Sequence, residues 1–362
     1  MNNHLKSVAD RLNRTKGRFS EHTVRVKALM LASVPTLAVA VSPFAGCHTR
    51  TVTNTVMPSR TATSSPVAVI LTTDCGVEVD DQWALTHLAL SPELTLRAIV
   101  TTHASSVHLS SATSARCAAD VLERVVPASA ARVPVIAGSD APLQDTSTAR
   151  DGAGVELLLR VSREYSESHR LVVLSSGAAT DMASAILKDP SIARRVLLVA
   201  MGFTDWPRGG PEFNITNDPL AWQVVLASDV PLVVGSSEAT KRALRLTTRD
   251  AAALMRAHGP TGEYLYTLFD RWVTNNRELV ARMVTAGTWV IWDEVVVAYA
   301  LGLASGNEVA RPRLEPSLLF SHPKTTQRIT WVTRIETDRV WSDFTVKIDA
   351  RSAVGLHAAA VE

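Results

Sequence analysis

The chain has 362 residues, of which 46% are hydrophobic and 20% charged. That is enough apolar material for one large core or two small ones, and too little charge for a disordered chain. The net charge of +2 hides an asymmetry: the first 60 residues carry nine Lys/Arg against two acids, the remainder 28 against 33. With no basic, aromatic-studded stripe after residue 60, no nucleic-acid partner is expected.

Residues 1–47 read as a targeting segment. A basic stretch ends at Arg25-Val26-Lys27. An apolar run over 28–41 follows, broken by Ser33, Pro35 and Thr36, and then Phe44-Ala45-Gly46-Cys47. A basic n-region, an apolar h-region and small residues before a cut make a secretory signal. Small residues before Cys47 resemble a bacterial lipobox, with Phe44 where Leu is usual. The expectation is an exported protein, periplasmic or held to the membrane by a lipid on Cys47. A disordered basic tail with a chance apolar run is the alternative. The run is shorter than about 20 residues and contains Pro35, so a spanning helix is not expected. Residues 48–65, rich in Thr, Ser and Pro, read as a flexible tether, and 66–362 as the body. Beyond Cys47 only Cys75 and Cys117 remain. Two cysteines make neither a disulfide framework nor a zinc pattern, and both are expected as small buried residues.

The body opens on the apolar run Val67-Ala68-Val69-Ile70-Leu71, which suits a parallel strand buried on both faces. A helix follows over 81–90. Further strands are predicted at 96–100, 133–136, 171–174, 196–199 and 231–234, with helices at 111–125, 155–167, 180–187 and 220–226. This alternation implies βαβ crossovers and a Rossmann-like, mainly parallel α/β sheet flanked by helices. Helices near 250–257, 262–275 and 294–303 come next. At the tail, 329–335 and 340–348 alternate β-branched and polar residues around Thr337-Asp338, which predicts an antiparallel hairpin extending the sheet.

Ligands of open α/β sheets bind at the carboxyl ends of the strands. Four segments there carry chemistry. Asp74-Cys75-Gly76-Val77-Glu78-Val79-Asp80-Asp81 puts four acids in eight residues directly after the first strand. Crowded carboxylates repel unless a cation neutralises them, and a hard cation such as Ca²⁺ prefers oxygen ligands. An acidic cap on a solvated loop would look the same. Ser175-Ser176-Gly177 follows the central strand, either as a plain turn or with carbonyls facing the cleft. Glu212 and Asn214 stand two residues apart, suited to a hydroxyl-rich ligand, while Asp218-Pro219 reads as a helix cap. Asp293, in Trp292-Asp293-Glu294, could complete a metal shell or simply cap the following helix. No histidine pair has HxxxH spacing, which disfavours zinc. His87 reads as structural, and His103 and His108 fall on the functional edge.

Together these segments resemble the inosine-uridine preferring nucleoside hydrolase family over residues 67–305. Asp74-x-Gly76-x-Glu78-x-Asp80-Asp81 is similar to its DxGxDxDD variant, with Glu78 for the middle Asp. Ile136-Ala137-Gly138-Ser139-Asp140-Ala141-Pro142-Leu143 resembles its AGxxxPL segment, and Ser176-Gly177-Ala178-Ala179-Thr180-Asp181 its TGPLTN turn. Met201-Gly202 with Glu212-Phe213-Asn214 and Asp218-Pro219 resembles MGG…EFNxxxDPEA. Trp292-Asp293 sits where the family has His-Asp.

The resemblance implies Ca²⁺-dependent hydrolysis of an N-glycosidic bond in a nucleoside or related riboside, with a metal-bound water attacking C1′. It implies Asp74, Asp81 and Asp293 as metal carboxylates and the Ser176 carbonyl as a further ligand. Asp74 would also be the catalytic base. Asp80, Glu212 and Asn214 would bind ribose hydroxyls, with Trp292 beside the substrate. It also admits a homo-oligomer. The departures fall elsewhere. Thr72 replaces the first Asp of the usual DxD, the Asn after strand two has no counterpart, Trp206 falls where an Asn would help hold ribose, and Trp292 replaces the His that protonates the leaving base. A non-catalytic exported sugar- or nucleoside-binding protein on the same fold is the alternative. A phosphatase of the haloacid dehalogenase type would need an Asp where Thr72 stands.

Overall fold

The computed structural model describes residues 65–359 and, ahead of them, the short strand Asn54–Thr55. The 1–47 targeting segment, Cys47 and most of the 48–65 tether lie outside the described residues.

Strands β1 (Asn54–Thr55), β2 (Val67–Thr73), β3 (Leu94–Thr101), β4 (Val135–Ala137), β5 (Leu171–Ser176), β6 (Val196–Met201) and β7 (Leu232–Gly235) join β10 (Ala304–Ala310) and β13 (Arg328–Ile335) in one nine-stranded sheet. Two small antiparallel pairs stand apart: β8 (Arg245–Thr247) with β9 (Thr288–Val290), and β11 (Arg313–Leu314) with β12 (Phe320–Ser321). The helices that matter most below are α1 (Asp80–Leu90), α2 (Ser111–Val125), α3 (Ala153–Ser162), α4 (Thr180–Lys188), α5 (Phe213–Asn217) and α6 (Pro219–Ala227). After them come α7 (Ser237–Ala243), α8 (Thr248–Met255), α9 (Gly259–Asn275), α10 (Arg277–Met283), α11 (Glu294–Ala300) and α12 (Thr337–Ala359). Among the described residues, no helix is long and apolar enough to cross a membrane.

The sheet runs β1-β10-β13-β7-β6-β5-β2-β3-β4. Every pair from β13 to β4 is parallel, and β10 and β1 add an antiparallel edge. Helices cover both faces, which is why the central strands read as unbroken apolar runs. Val69 and Leu71 face one apolar layer with α1, α2, α9, α11 and α12, whose large members include Trp83, Phe269 and Phe344. Ala68 and Ile70 face the other, with α3, α4 and α6, around Phe203 and Trp222. Burying each such side chain contributes roughly 2–3 kcal/mol.

Chain order reverses between β2 and β5: β3 and β4 extend one way, β6 and β7 the other. A crevice opens at such a switch point, at the strands' carboxyl ends. There Thr73 pairs in register with Ser176 on one side and Thr101 on the other.

Three expectations are corrected. The C-terminal antiparallel extension exists, but its strands are β10 and β13. Residues 340–348 lie in helix α12 instead of forming the second arm of a hairpin. Val340, Phe344 and Ile348 recur every four residues and are buried, while Val346, which a strand would turn inward with them, is 62% exposed. The helix begun near 155 stops at Ser162. Finally, Cys75 and Cys117 are joined as a disulfide, with Cα atoms 5.7 Å apart.

Candidate functional site

Asp74 lies directly after β2, Asp80 and Asp81 open α1, and Asp293 directly precedes α11. Strand end and helix starts thus converge on the switch-point crevice. Neither helix uses these acids as caps. The cap position of α1 is Val79, and Asp293 at that of α11 accepts no capping bond. All four acids are buried. One carboxylate oxygen each from Asp80, Asp81 and Asp293 lie within 4.8 Å of one another. Asp81 accepts a hydrogen bond from the Thr73 hydroxyl. Asp74 stands beside the trio, with its Oδ2 unpartnered.

Burial and mutual repulsion press every acid here toward the protonated form. Asp74 is raised well above the usual carboxylate value by burial, then by Asp81, Asp80, Glu78 and Glu212. Asp80 is raised likewise by burial, Glu78 and Asp81, and Asp293 by burial, Asp80, Asp81 and Asp74. Asp81 rises to about 6 through burial, against the hydrogen bond from Thr73. Glu78 is pushed to about 8 by burial and by Asp81. Its Oε2 is a second buried oxygen without a partner. Converging all-oxygen donors, with the unpartnered oxygens of Asp74 and Glu78 beside them, are what a hard cation takes, so this cluster could bind a metal.

Glu212 and Asn214 meet at the start of α5, after β6. Oε2 of Glu212 accepts the Asn214 and Ile215 N–H groups at 3.0 and 3.3 Å, so Glu212 caps that helix. Burial still lifts it to about 7, against those backbone bonds. Its charge reaches Asp74 and Glu78, which puts it on the same crevice. Asn214 is buried and donates from Nδ2 to the Met201 carbonyl at 3.3 Å. Ser176 ends β5, its hydroxyl donating to the Thr72 carbonyl at 3.3 Å. Trp292 is half-buried, edge-on to Trp289 with ring centroids 6.4 Å apart.

Sequence reasoning passed over Thr73 and Thr102, and left Glu78 without a task. Thr102 is buried with an unpartnered hydroxyl. It presses on Gly177, where a Cβ would collide with that hydroxyl and stand 3.0 Å from the Asp74 N–H. Only glycine lets the β5 turn come this close to Asp74. A hydroxyl ending an apolar strand was the available signal for Thr73; Thr102 left none.

The remaining motif residues are scaffold. Asp218 caps α6 through the Ala221 N–H at 2.9 Å. Its other oxygen takes the Leu143 N–H at 2.9 Å and the Thr180 hydroxyl at 2.7 Å. His103, on the functional edge as expected, is buried with Nε2 3.0 Å from Thr180 Oγ1 and Nδ1 2.7 Å from Ser105 Oγ. Burial lowers its pKa. His87 is structural as expected, and lies between two acids: Nδ1 is 2.7 Å from Glu294 and Nε2 2.8 Å from Asp343. It stacks on Phe344 at 4.5 Å.

Residues 69–354 match the inosine-uridine preferring nucleoside hydrolase family. The pyrimidine-specific ribonucleoside hydrolase RihA of Enterobacter sp. (strain 638) is 27% identical over 231 residues, 56% of this chain and 71% of that protein. The RihA of Klebsiella pneumoniae subsp. pneumoniae is 26% identical over 59% of this chain and 74% of its own length. Among solved structures, the purine-preferring ribonucleoside hydrolase from Gardnerella vaginalis superposes with a TM-score of 0.65 at 19% identity, covering 79% of this chain and 99% of that one. A plant nucleoside hydrolase, PpNRh1, gives 0.63 at 20% identity with the same coverage. These two structures share the fold. The chain belongs to the inosine-uridine preferring nucleoside hydrolase family, and with it to the N-ribohydrolases, glycosidases that hydrolyse nucleosides.

Proposed function

We propose that the chain is an exported, Ca²⁺-dependent N-ribohydrolase acting on a nucleoside or related riboside. One observation carries the cation: Asp80, Asp81 and Asp293 bring carboxylate oxygens within 4.8 Å of one another in a buried site. The donors are all oxygens, which favours Ca²⁺ over zinc or copper. Asp74, Asp81 and Asp293 would hold it with the Ser176 carbonyl, and Asp80 would bridge shell and sugar. Such a cation supplies the positive charge that grips sugar hydroxyls and lowers the pKa of a nearby water. Asp74, whose Oδ2 has no other partner, would take a proton from the water that adds at C1′, while the C1′–N bond breaks and its electron pair leaves with the base, which takes its own proton from solvent. Asp80, Glu212 and Asn214 hold the ribose hydroxyls, which fixes C1′ relative to Asp74. Trp292 offers a face for the base.

Two of the relatives named above are pyrimidine-specific and one is purine-preferring, so kinship leaves the base open. Export is supported by the N-terminal charge and apolar pattern. The Cys75–Cys117 disulfide also suits an oxidising compartment. A lipid on Cys47 would tie the enzyme to a membrane surface.

A panel of purine and pyrimidine ribosides tests the reading. Free ribose should appear with at least one of them, vanish on chelation and return with Ca²⁺. Asp74→Asn should lower turnover at least about a hundredfold. A second reading rests on Trp292, which cannot donate a proton to the leaving base: a sugar-binding protein without turnover. Stabilisation by ribosides with no ribose released, from a folded protein that binds Ca²⁺, would favour it.

A further inference from the structure

Asp74 is the acid on which the proposed chemistry most depends, yet its Oδ2 has no partner. Its place is set by the backbone on either side. Before it, the Thr73 carbonyl accepts the Thr102 N–H at 2.8 Å and the Ser114 hydroxyl at 3.2 Å. After it, Cys75 is bonded to Cys117 across 42 residues of chain. Ser114 and Cys117 lie three residues apart on α2, and hence on one face of that helix. Between Cys75 and α1 the chain turns at Gly76, with φ +100°. A Cβ at Gly76 would touch Cys117 at 3.5 Å, so α2 lies directly against the turn. Val79 leaves the first turn of α1 without a side-chain cap. One face of α2 therefore grips the main chain both before and after Asp74, by a hydrogen bond and by a covalent bond.

The geometry points to the Cys75–Cys117 disulfide as a positioning element of the cation site, holding Asp74 against Asp80, Asp81 and Asp293 so that the oxidised protein binds the cation more tightly than the reduced one. The inference rests on the cation reading above. Neither sulfur serves as a ligand. What reduction removes is the tie. A dithiol reductant delivers two electrons and two protons, the S–S bond becomes two thiols, and the reductant leaves as its own disulfide. Cys117 is only partly buried, which gives the reductant access.

Calorimetric Ca²⁺ titration of the whole chain tests this, comparing oxidised protein, dithiothreitol-reduced protein and the Cys75→Ala/Cys117→Ala pair. Both thiol-free and reduced forms should bind Ca²⁺ about tenfold more weakly or worse, the usual effect of losing a support behind a metal ligand. Arg311→Met is the control for stability alone. That guanidinium holds the carbonyls of Val225, Ser228 and Val230, remote in the fold from Asp74. It should lower the melting temperature and leave the Ca²⁺ affinity unchanged. Equal affinity in oxidised, reduced and Ala/Ala protein overturns the inference. So does an Ala/Ala pair that fails to fold, because the bond would then serve folding rather than the site. Absence of binding by the oxidised protein overturns the cation reading itself, and this inference with it.

Discussion

Asp80 and Asp81 open helix α1, and His87 lies about two turns further along the same helix. All three are buried, and each meets an acid from the start of α11, Asp293 for the first pair and Glu294 for His87. The two ends of the helix treat buried charge in opposite ways. Around His87 the acids face bases, which oppose but do not cancel the rise that burial gives Glu294. Glu294 and Asp343 flank the ring, and Lys347 stands 3.0 Å from Glu93 and bonds to Asp343. Burial works against charging His87, yet Glu294 and Asp343 outweigh it and raise its pKa. At the Asp80 end, the charges that act on Asp74, Asp80 and Asp293 come from other acids. The acidic end of the helix, where no base answers the buried carboxylates, is the end that could bind a metal. The same helices hold both clusters, so the His87 clasp also fixes the spacing of α1 and α11, and with it the spacing of Asp80, Asp81 and Asp293.

The sharpest way to break this contrast is to remove one member of each set. His87→Leu should destabilise the protein by about 3–5 kcal/mol, since it strands Glu294 in the core, as read by denaturant unfolding. Asp293→Asn, measured in chelator at pH 8, should do the reverse. Removing one charge from a repelling cluster should stabilise the metal-free protein by on the order of 1 kcal/mol. If both substitutions destabilise equally, the two ends do not differ.

The pH dependence sharpens it further. Acids whose folded pKa is raised favour folding at low pH. Their contribution is complete below the unfolded value of about 4 and is lost as pH rises through the folded values, about 6 for Asp81 and about 8 for Glu78. Metal-free protein should therefore lose stability steadily between pH 4 and 8, and saturating Ca²⁺ should flatten that slope. His87, also raised, contributes fully below about 6.5 and loses that contribution as pH climbs through its folded value. This part should persist in Ca²⁺ and disappear in His87→Leu. The smallest expected effect is at Trp292, which the proposed reaction puts beside the leaving base. Trp292→His, which restores a proton donor, should raise kcat several-fold on a purine riboside with KM little changed.

Much of this was legible in the sequence. Apolar runs gave the parallel strands because both sheet faces are covered. The acidic loop could be placed because it directly follows the first of them. The two cap readings came out differently: Asp218 does cap α6, while Asp293 occupies a cap position without capping. What stayed hidden depends on contacts between distant parts of the chain. His87 meets partners 207 and 256 residues away. Cys75 and Cys117 become neighbours only once α2 packs on the loop. Residues 340–348 satisfy both a two-residue and a four-residue period, and packing against α1 and α9 selects the helix. Strand β10, next to the edge strand β1, has no apolar run to announce it, because its burial is partial where that of its neighbour β13 is continuous over 329–332.

A crystal structure of the protein grown with Ca²⁺ tests the central claim most directly. The account predicts one cation at the switch-point crevice, about 2.3–2.6 Å from carboxylate oxygens of Asp74, Asp81 and Asp293. A crevice without a cation at saturating Ca²⁺, with these acids protonated against one another, would contradict it.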